Sequence, residues 1–195
     1  MKGLLLSIFL LLAPVMSLHA APTAPNMYEI ELVVFENRLT DLEGGELWTR
    51  GPEAAVSTEK DESVAIAEKP AADSPLSAAV AALEKSGRHH VLAHLRWQQT
   101  AEAKSASKPV KISNVEGGLD GSLRFYLSRF LVLDLNLALR ESPSGGIFDG
   151  SAGNETTVYR LNEPRRIKLS ETHYFDHPKF GALVRISPAK TADQP

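Results

Sequence analysis

The chain of 195 residues contains no cysteine. This excludes a disulfide framework and thiol chemistry, and it leaves no residue for lipid attachment behind an export signal. No stretch beyond the first 20 residues is apolar for long enough to span a membrane. A basic surplus is also missing. The 21 Lys and Arg stand against 24 Asp and Glu, for a formal net charge of −3, which argues against a general nucleic-acid binder. There is no HExxH, no GxSxG, no P-loop and no dinucleotide-binding glycine pattern, so no motif calls for an enzyme. The residues predict no catalytic group, no metal and no cofactor.

What is present begins with a leader. Lys2 supplies a positive start, Leu4 to Leu12 is an apolar run broken only by Ser7, and Pro14 helps to end it. Small residues follow at Ala20 and Ala21. This pattern predicts a secretory signal peptide over 1–20, cleaved after Ala20, and a mature protein in the periplasm. Residues 21–26 read as a mobile lead-in, 27–187 as a single domain, and 188–195 as a tail. About 175 mature residues can bury an adequate core without disulfides.

The longest regular pattern is Gly121 to Arg140. Leu123, Phe125, Leu127, Leu131, Leu133, Leu135, Leu137 and Leu139 occupy odd positions, with Arg124, Ser128, Asp134, Asn136 and Arg140 at even ones. A period of two is a half-buried β-strand. Twenty extended residues would span about 65 Å, longer than the roughly 40 Å width of a domain this size. The stretch must therefore bend or turn near Ser128–Arg129. A three-residue turn over Ser128–Phe130 keeps the leucines in phase, but no Gly or Asn favours it, and a bent strand is expected. Arg129 breaks the apolar phase. It reads as a residue at a bend reaching water, or as a functional arginine.

Around this centre the chain offers further strands. Tyr28 to Phe35 starts with Glu29 and Glu31 on a solvent side and ends apolar on both sides, as a central strand does. Residues 38–74 are a loop or insertion, with 53–72 disordered by composition and Trp48 as the one large aromatic anchor. Ser74 as N-cap and Pro75 in the first turn open a helix with a Leu76, Val80, Leu83 stripe, ended by Gly87. Arg88 to Gln99 reads as a strand with Val91, Ala93, Leu95 and Trp97 on one face, and a short strand is possible at Val110 to Ile112. Ser142 to Asn154 is a glycine-rich flexible loop. Thr156 to Leu161 and Arg165 to Phe175 read as strands, Asp176-His177-Pro178 as a turn, and Phe180 to Ile186 as a buried closing strand. The fold class is α+β, a mainly antiparallel sheet of about five or six strands with one helix packed on it.

Four candidate chemistries follow. His90 and His94 are four apart on a strand, too far for one ion at about 13 Å. His173 and His177 are also four apart, across a turn that could bring them together. Acids such as Asp134, Glu171 and Asp176 read as a solvated face rather than a catalytic pair. Planar rings and guanidinium forks suit an anionic or carbohydrate polymer, and the candidate ligand-binding residues are Tyr126, Arg129, His173, Tyr174 and His177.

Four segments carry a resemblance: YEIELVVFEN with ELW after it, SGRHHVLAHLRWQQ, GSLRFYLSRFLVLDLNL, and ETHYFDHPKFGALVRISP. In this order and spacing the chain resembles the CsiV family of peptidoglycan-binding, cell-shape-integrity proteins of the Gram-negative periplasm. It departs from the family's pattern at Phe130-Leu131-Val132, which lacks a histidine after the arginine. The resemblance implies a non-enzymatic protein that binds peptidoglycan. It also implies support for a bifunctional peptidoglycan synthase through the synthase's outer-membrane lipoprotein activator. The rival readings are a structural subunit of an envelope complex, held through a sheet edge, and a metal-dependent cell-wall hydrolase.

Overall fold

The structure, a computed structural model, describes residues 27–38, 74–141 and 157–189. The leader, the lead-in, Trp48, the 53–72 excursion, the Ser142 to Asn154 loop and the end of the tail lie outside the described residues. In chain order the elements are β1 (Met27–Asn37), α1 (Ser77–Lys85), β2 (His89–Thr100), β3 (Val110–Asn114), β4 (Leu119–Leu127), β5 (Leu131–Glu141), β6 (Thr157–Arg166), β7 (Thr172–His177) and β8 (Phe180–Pro188). Two four-stranded antiparallel sheets result, ordered β2-β1-β8-β7 and β3-β4-β5-β6. Among the described residues the protein is mostly antiparallel sheet with one short helix, but two sheets replace the single sheet of five or six strands that the sequence predicts.

One segment divides and adds a strand, and a second breaks at a different point from the one expected. The Gly121 to Arg140 stretch is a hairpin, not a bent strand. Leu127 pairs with Leu131 around a loop of Ser128, Arg129 and Phe130, closed by the Ser128 N–H donating to the Phe130 carbonyl at 2.9 Å. The odd loop length returns Leu131 to the face that Leu127 left, so hydrophobic phase decides the turn. None of the three loop residues has a positive φ, so the turn does not need Gly or Asn. The second segment, Arg165 to Phe175, breaks at 167–171. There buried Ile167 carries the chain from the second sheet to the first, and Ser170 takes a φ of 62°.

Between the sheets lies one core. Ile30, Leu32, Val34, Phe175, Phe180, Val184 and Ile186 face Leu123, Phe125, Leu133, Leu135 and Leu137, all fully buried. Tyr28 meets Phe125 edge-on, with ring centroids 5.4 Å apart and planes at 78°, a favoured aromatic geometry. At the first pair of sheet margins, the Asn114 side-chain amide donates to the Leu92 carbonyl at 2.7 Å. At the other, Arg165 donates to the Tyr174 carbonyl at 2.5 Å and covers the Phe175 ring at 4.2 Å. Pro164 sits inside β6, which is tolerated because β6 is an edge strand.

Further expectations are corrected in two regions. First, β1 is central as predicted, but Glu31 is only 3% exposed. It lies beneath the start of the helix rather than in solvent. The helix begins after Leu76 with no side-chain cap, and the Ser74 carbonyl, not its hydroxyl, accepts from Ser77. No residue of α1 itself is fully buried, and the helix packs on β2, where the Glu84 carboxylate accepts from the Val91 N–H at 2.7 Å. Leu76, 2% exposed, is its anchor, and Gly87 ends it at a φ of 65°. Second, β2 carries a bulge: Val34 faces Ala93 but Phe35 faces Val91. Leu92 is left over and buried, which turns Val91 off the expected apolar face.

Gly121 marks a close approach of β4 to β5. It has a φ of 156°, and a Cβ there would stand 2.2 Å from the Asn136 carbonyl oxygen. Gly121→Ala is expected to destabilise the fold by about 2 kcal/mol or more. A urea titration checks this; an unchanged midpoint would mean the strands separate there at no cost.

Candidate functional site

The β4–β5 hairpin tip projects Arg129 and Phe130 from the end of the second sheet, both exposed, Phe130 by 40%. On the outward face of the same sheet, Tyr126, Val132 and Arg166 form one cross-strand row, which brings Arg166 to the tip. Its guanidinium carbon lies 3.5 Å from the Phe130 ring centroid, and that of Arg129 lies 5.4 Å from it. Both are within cation–π range. Among the described residues, neither arginine has a carboxylate within 4.0 Å.

Beside them the charges are already matched. Lys104 sits over the Tyr126 ring at 5.0 Å and pairs with Asp134 at 3.3 Å. The Tyr126 hydroxyl donates to Asp134 at 3.3 Å. Hydrogen bonds to Tyr126 and Asp134 raise the Lys104 amine above its ordinary value. Tyr126 is only 6% exposed, so its ring supports the face and does not present a stacking surface.

The other three predicted ligand residues lie on β7, on two faces. Tyr174 points outward from the first sheet and stacks on Phe35 at 6.3 Å with planes 7° apart. Its hydroxyl donates to Asp176 at 2.6 Å. Burial of that end of the ring, then the Asp176 carboxylate, pushes the phenol up to about 12. His173 takes the opposite face, opposite Val184, with Nε2 at 3.2 Å from the Lys168 carbonyl. His177 packs between Phe180 and Tyr159, at 5.0 and 5.8 Å, and its Nδ1 accepts the Lys179 N–H at 3.2 Å.

No turn joins the two histidines: His173 to His177 is continuous strand, and the turn is Pro178–Lys179. The rings are therefore separated by about 13 Å of extended chain. In β2 the bulge parts the other pair, with His94 bonded to Glu31 at 2.8 Å and His90 3.6 Å from Glu84. Among the described residues, no three His, Asp or Glu side chains converge as a metal site. The candidate acids are likewise apart and engaged, Asp134 with Lys104, Asp176 with Tyr174 and Glu171 with Lys168 at 3.7 Å.

Burial lowers the His177 pKa from 6.5, partly opposed by Asp176. A histidine depressed in the folded state binds its proton more readily when unfolded. Its contribution to stability is therefore present above about 6.5 and lost as pH falls through the folded value. Stability should decline below about pH 6.5, less steeply in His177→Phe, and an imidazole NMR titration should place the His177 midpoint below 6.5. A midpoint above 6.5 would contradict the half-buried, neutral ring.

Of the five predicted residues, then, the structure brings Arg129 and Tyr126 to one surface and sets His173, Tyr174 and His177 elsewhere. It adds Phe130, Arg166 and Lys104. Phe130 carried a signal, since it is an aromatic at an even, polar-phase position next to the one break in the pattern. Arg166 and Lys104 reach the site through strand pairing and a loop, which periodicity does not show.

Among the described residues, no helix is long and apolar enough to cross a membrane. The family described as peptidoglycan-binding protein, CsiV, matches residues 53–189. The match takes in α1, every strand from β2 to β8 and the whole hairpin tip. No curated protein and no solved structure matches significantly. With more than half its length matched, the chain belongs to the CsiV family of peptidoglycan-binding proteins.

Proposed function

We propose that the protein is a non-catalytic peptidoglycan-binding protein of the periplasm. The observation that carries this reading is the family match over 53–189. The leader of Lys2 and Leu4 to Leu12 supports export and cleavage after Ala20. The absence of a catalytic role rests on the engagement of each candidate acid by its own neighbour, with Asp134 and Asp176 on the outward faces of different sheets. The binding surface is the hairpin tip with Arg129, Phe130 and Arg166 on the flank of Tyr126. Tyr174, His173 and His177 are kept as secondary contacts along β7. By holding the wall, the protein supports a bifunctional peptidoglycan synthase and its outer-membrane lipoprotein activator.

The test is to mix the purified mature protein with isolated sacculi, then assay the pellet for protein and the supernatant for released muropeptides. Protein in the pellet with no muropeptide release is the expected result. Release of muropeptides would make it a hydrolase. A pellet no richer than that of an inert control would remove wall binding.

A further inference from the structure

We infer that the hairpin tip takes the free carboxylates of the peptidoglycan stem peptides, and not the glycan strand. This deepens, and rests on, the peptidoglycan-binding reading. Stacking a sugar needs an open aromatic face, and at the tip a face of the Phe130 ring is already taken by a guanidinium. The Arg166 guanidinium lies 3.5 Å from the Phe130 centroid, and Tyr126 is buried under Lys104. The ring serves instead as a support. A guanidinium stacked on an aromatic ring keeps its in-plane N–H edges free, in the fork that fits a carboxylate.

A second guanidinium, that of Arg129, lies within cation–π range of the same ring at 5.4 Å. No carboxylate of the described residues lies within 4.0 Å of either. Their nearby acid, Asp134, is matched by Lys104. Two like charges held together without a counter-ion repel each other, and an incoming anion relieves that repulsion. In peptidoglycan the free carboxylates belong to the stem peptides. The glycan strand carries none where its lactyl groups are amide-linked to those stems. The protein as a whole is negatively charged, so attraction to an acidic polymer must come from a local site rather than from net charge.

The experiment measures pelleting with two sacculus preparations, one intact and one whose carboxylates have been converted to amides with carbodiimide and ammonia. The proteins are the wild type and the Arg129→Gln, Arg166→Gln double variant. The expected result is that amidation weakens wild-type binding about tenfold or more, the loss of charge-assisted forks. The double variant should lose as much on intact sacculi and little further on amidated ones. Amidation removes repulsion from a negative protein, so a loss cannot be a general charge effect. Equal wild-type binding to both preparations, or a folded double variant that binds like the wild type, would overturn the inference while leaving wall binding intact. Failure of the wild type to pellet with intact sacculi would overturn the peptidoglycan reading and the inference with it. Should the double variant not fold, the amidation comparison on the wild type still decides.

Discussion

Phe125→Ala is expected to remove about 4 kcal/mol of folding free energy. The ring is fully buried on the inward face of β4, within the core that both sheets share, and it meets Tyr28 of β1 edge-on. Truncation would lose the transfer energy of the ring, open a cavity between the sheets and delete the aromatic pair. Domains of this kind hold about 5–15 kcal/mol in total, so the variant should be close to unfolding at ordinary temperature. Denaturant titration measures the effect. A loss below about 1 kcal/mol would mean that the two sheets do not pack face to face at this point.

The second large effect is expected at Glu31. Its carboxylate is 3% exposed, on the central strand of the first sheet. Both oxygens lie 3.3 Å from the Leu76 N–H, and Oε1 lies 2.8 Å from His94 Nε2. Thus one buried acid holds both the entry to α1 and a residue of β2. Glu31→Ala should cost about 3 kcal/mol, because it leaves a buried N–H and a half-buried histidine without their acceptor. Glu31→Gln keeps an acceptor and should cost less than half of that. Hydrogen exchange gives the finer readout: amides of Ser77–Lys85 should exchange faster in Glu31→Ala while those of β5 change little. Equal acceleration in β5 would show that Glu31 supports the whole sandwich and not the helix docking.

Much of the architecture was legible because a period of two is a strong signal. Leu123, Leu133, Leu135, Leu137 and Leu139 share the buried inward face, as their alternation requires, while Leu127 beside the hairpin loop is 47% exposed, and Gly87 stops the helix as a residue free to take a positive φ should. What periodicity cannot show is where a run of correct phase is cut. A three-residue hairpin and a bent strand leave the same alternation, so the Ser128–Phe130 turn was legible only as the less favoured of two readings, and the second sheet stayed hidden. The bulge at Leu92 is a single residue stepping out of phase, whereas at Ile167 the phase is kept and the chain changes sheet, which alternation does not show either. Glu31 was misplaced for another reason. A carboxylate on a strand belongs in water unless tertiary partners compensate, and its partners, Leu76 and His94, are 45 and 63 residues away in sequence. The site followed the same rule. Arg129 stood out because it broke a local pattern, while Arg166 joined it only through the pairing of β5 with β6.

The most direct measurement is a binding curve of the purified mature protein on intact sacculi, followed by co-sedimentation beside an inert protein of similar charge. A saturable curve, reaching a plateau while the control stays in the supernatant, is the predicted result for a wall-binding member of this family. Pelleting that rises linearly without a plateau, or that matches the control, would contradict it.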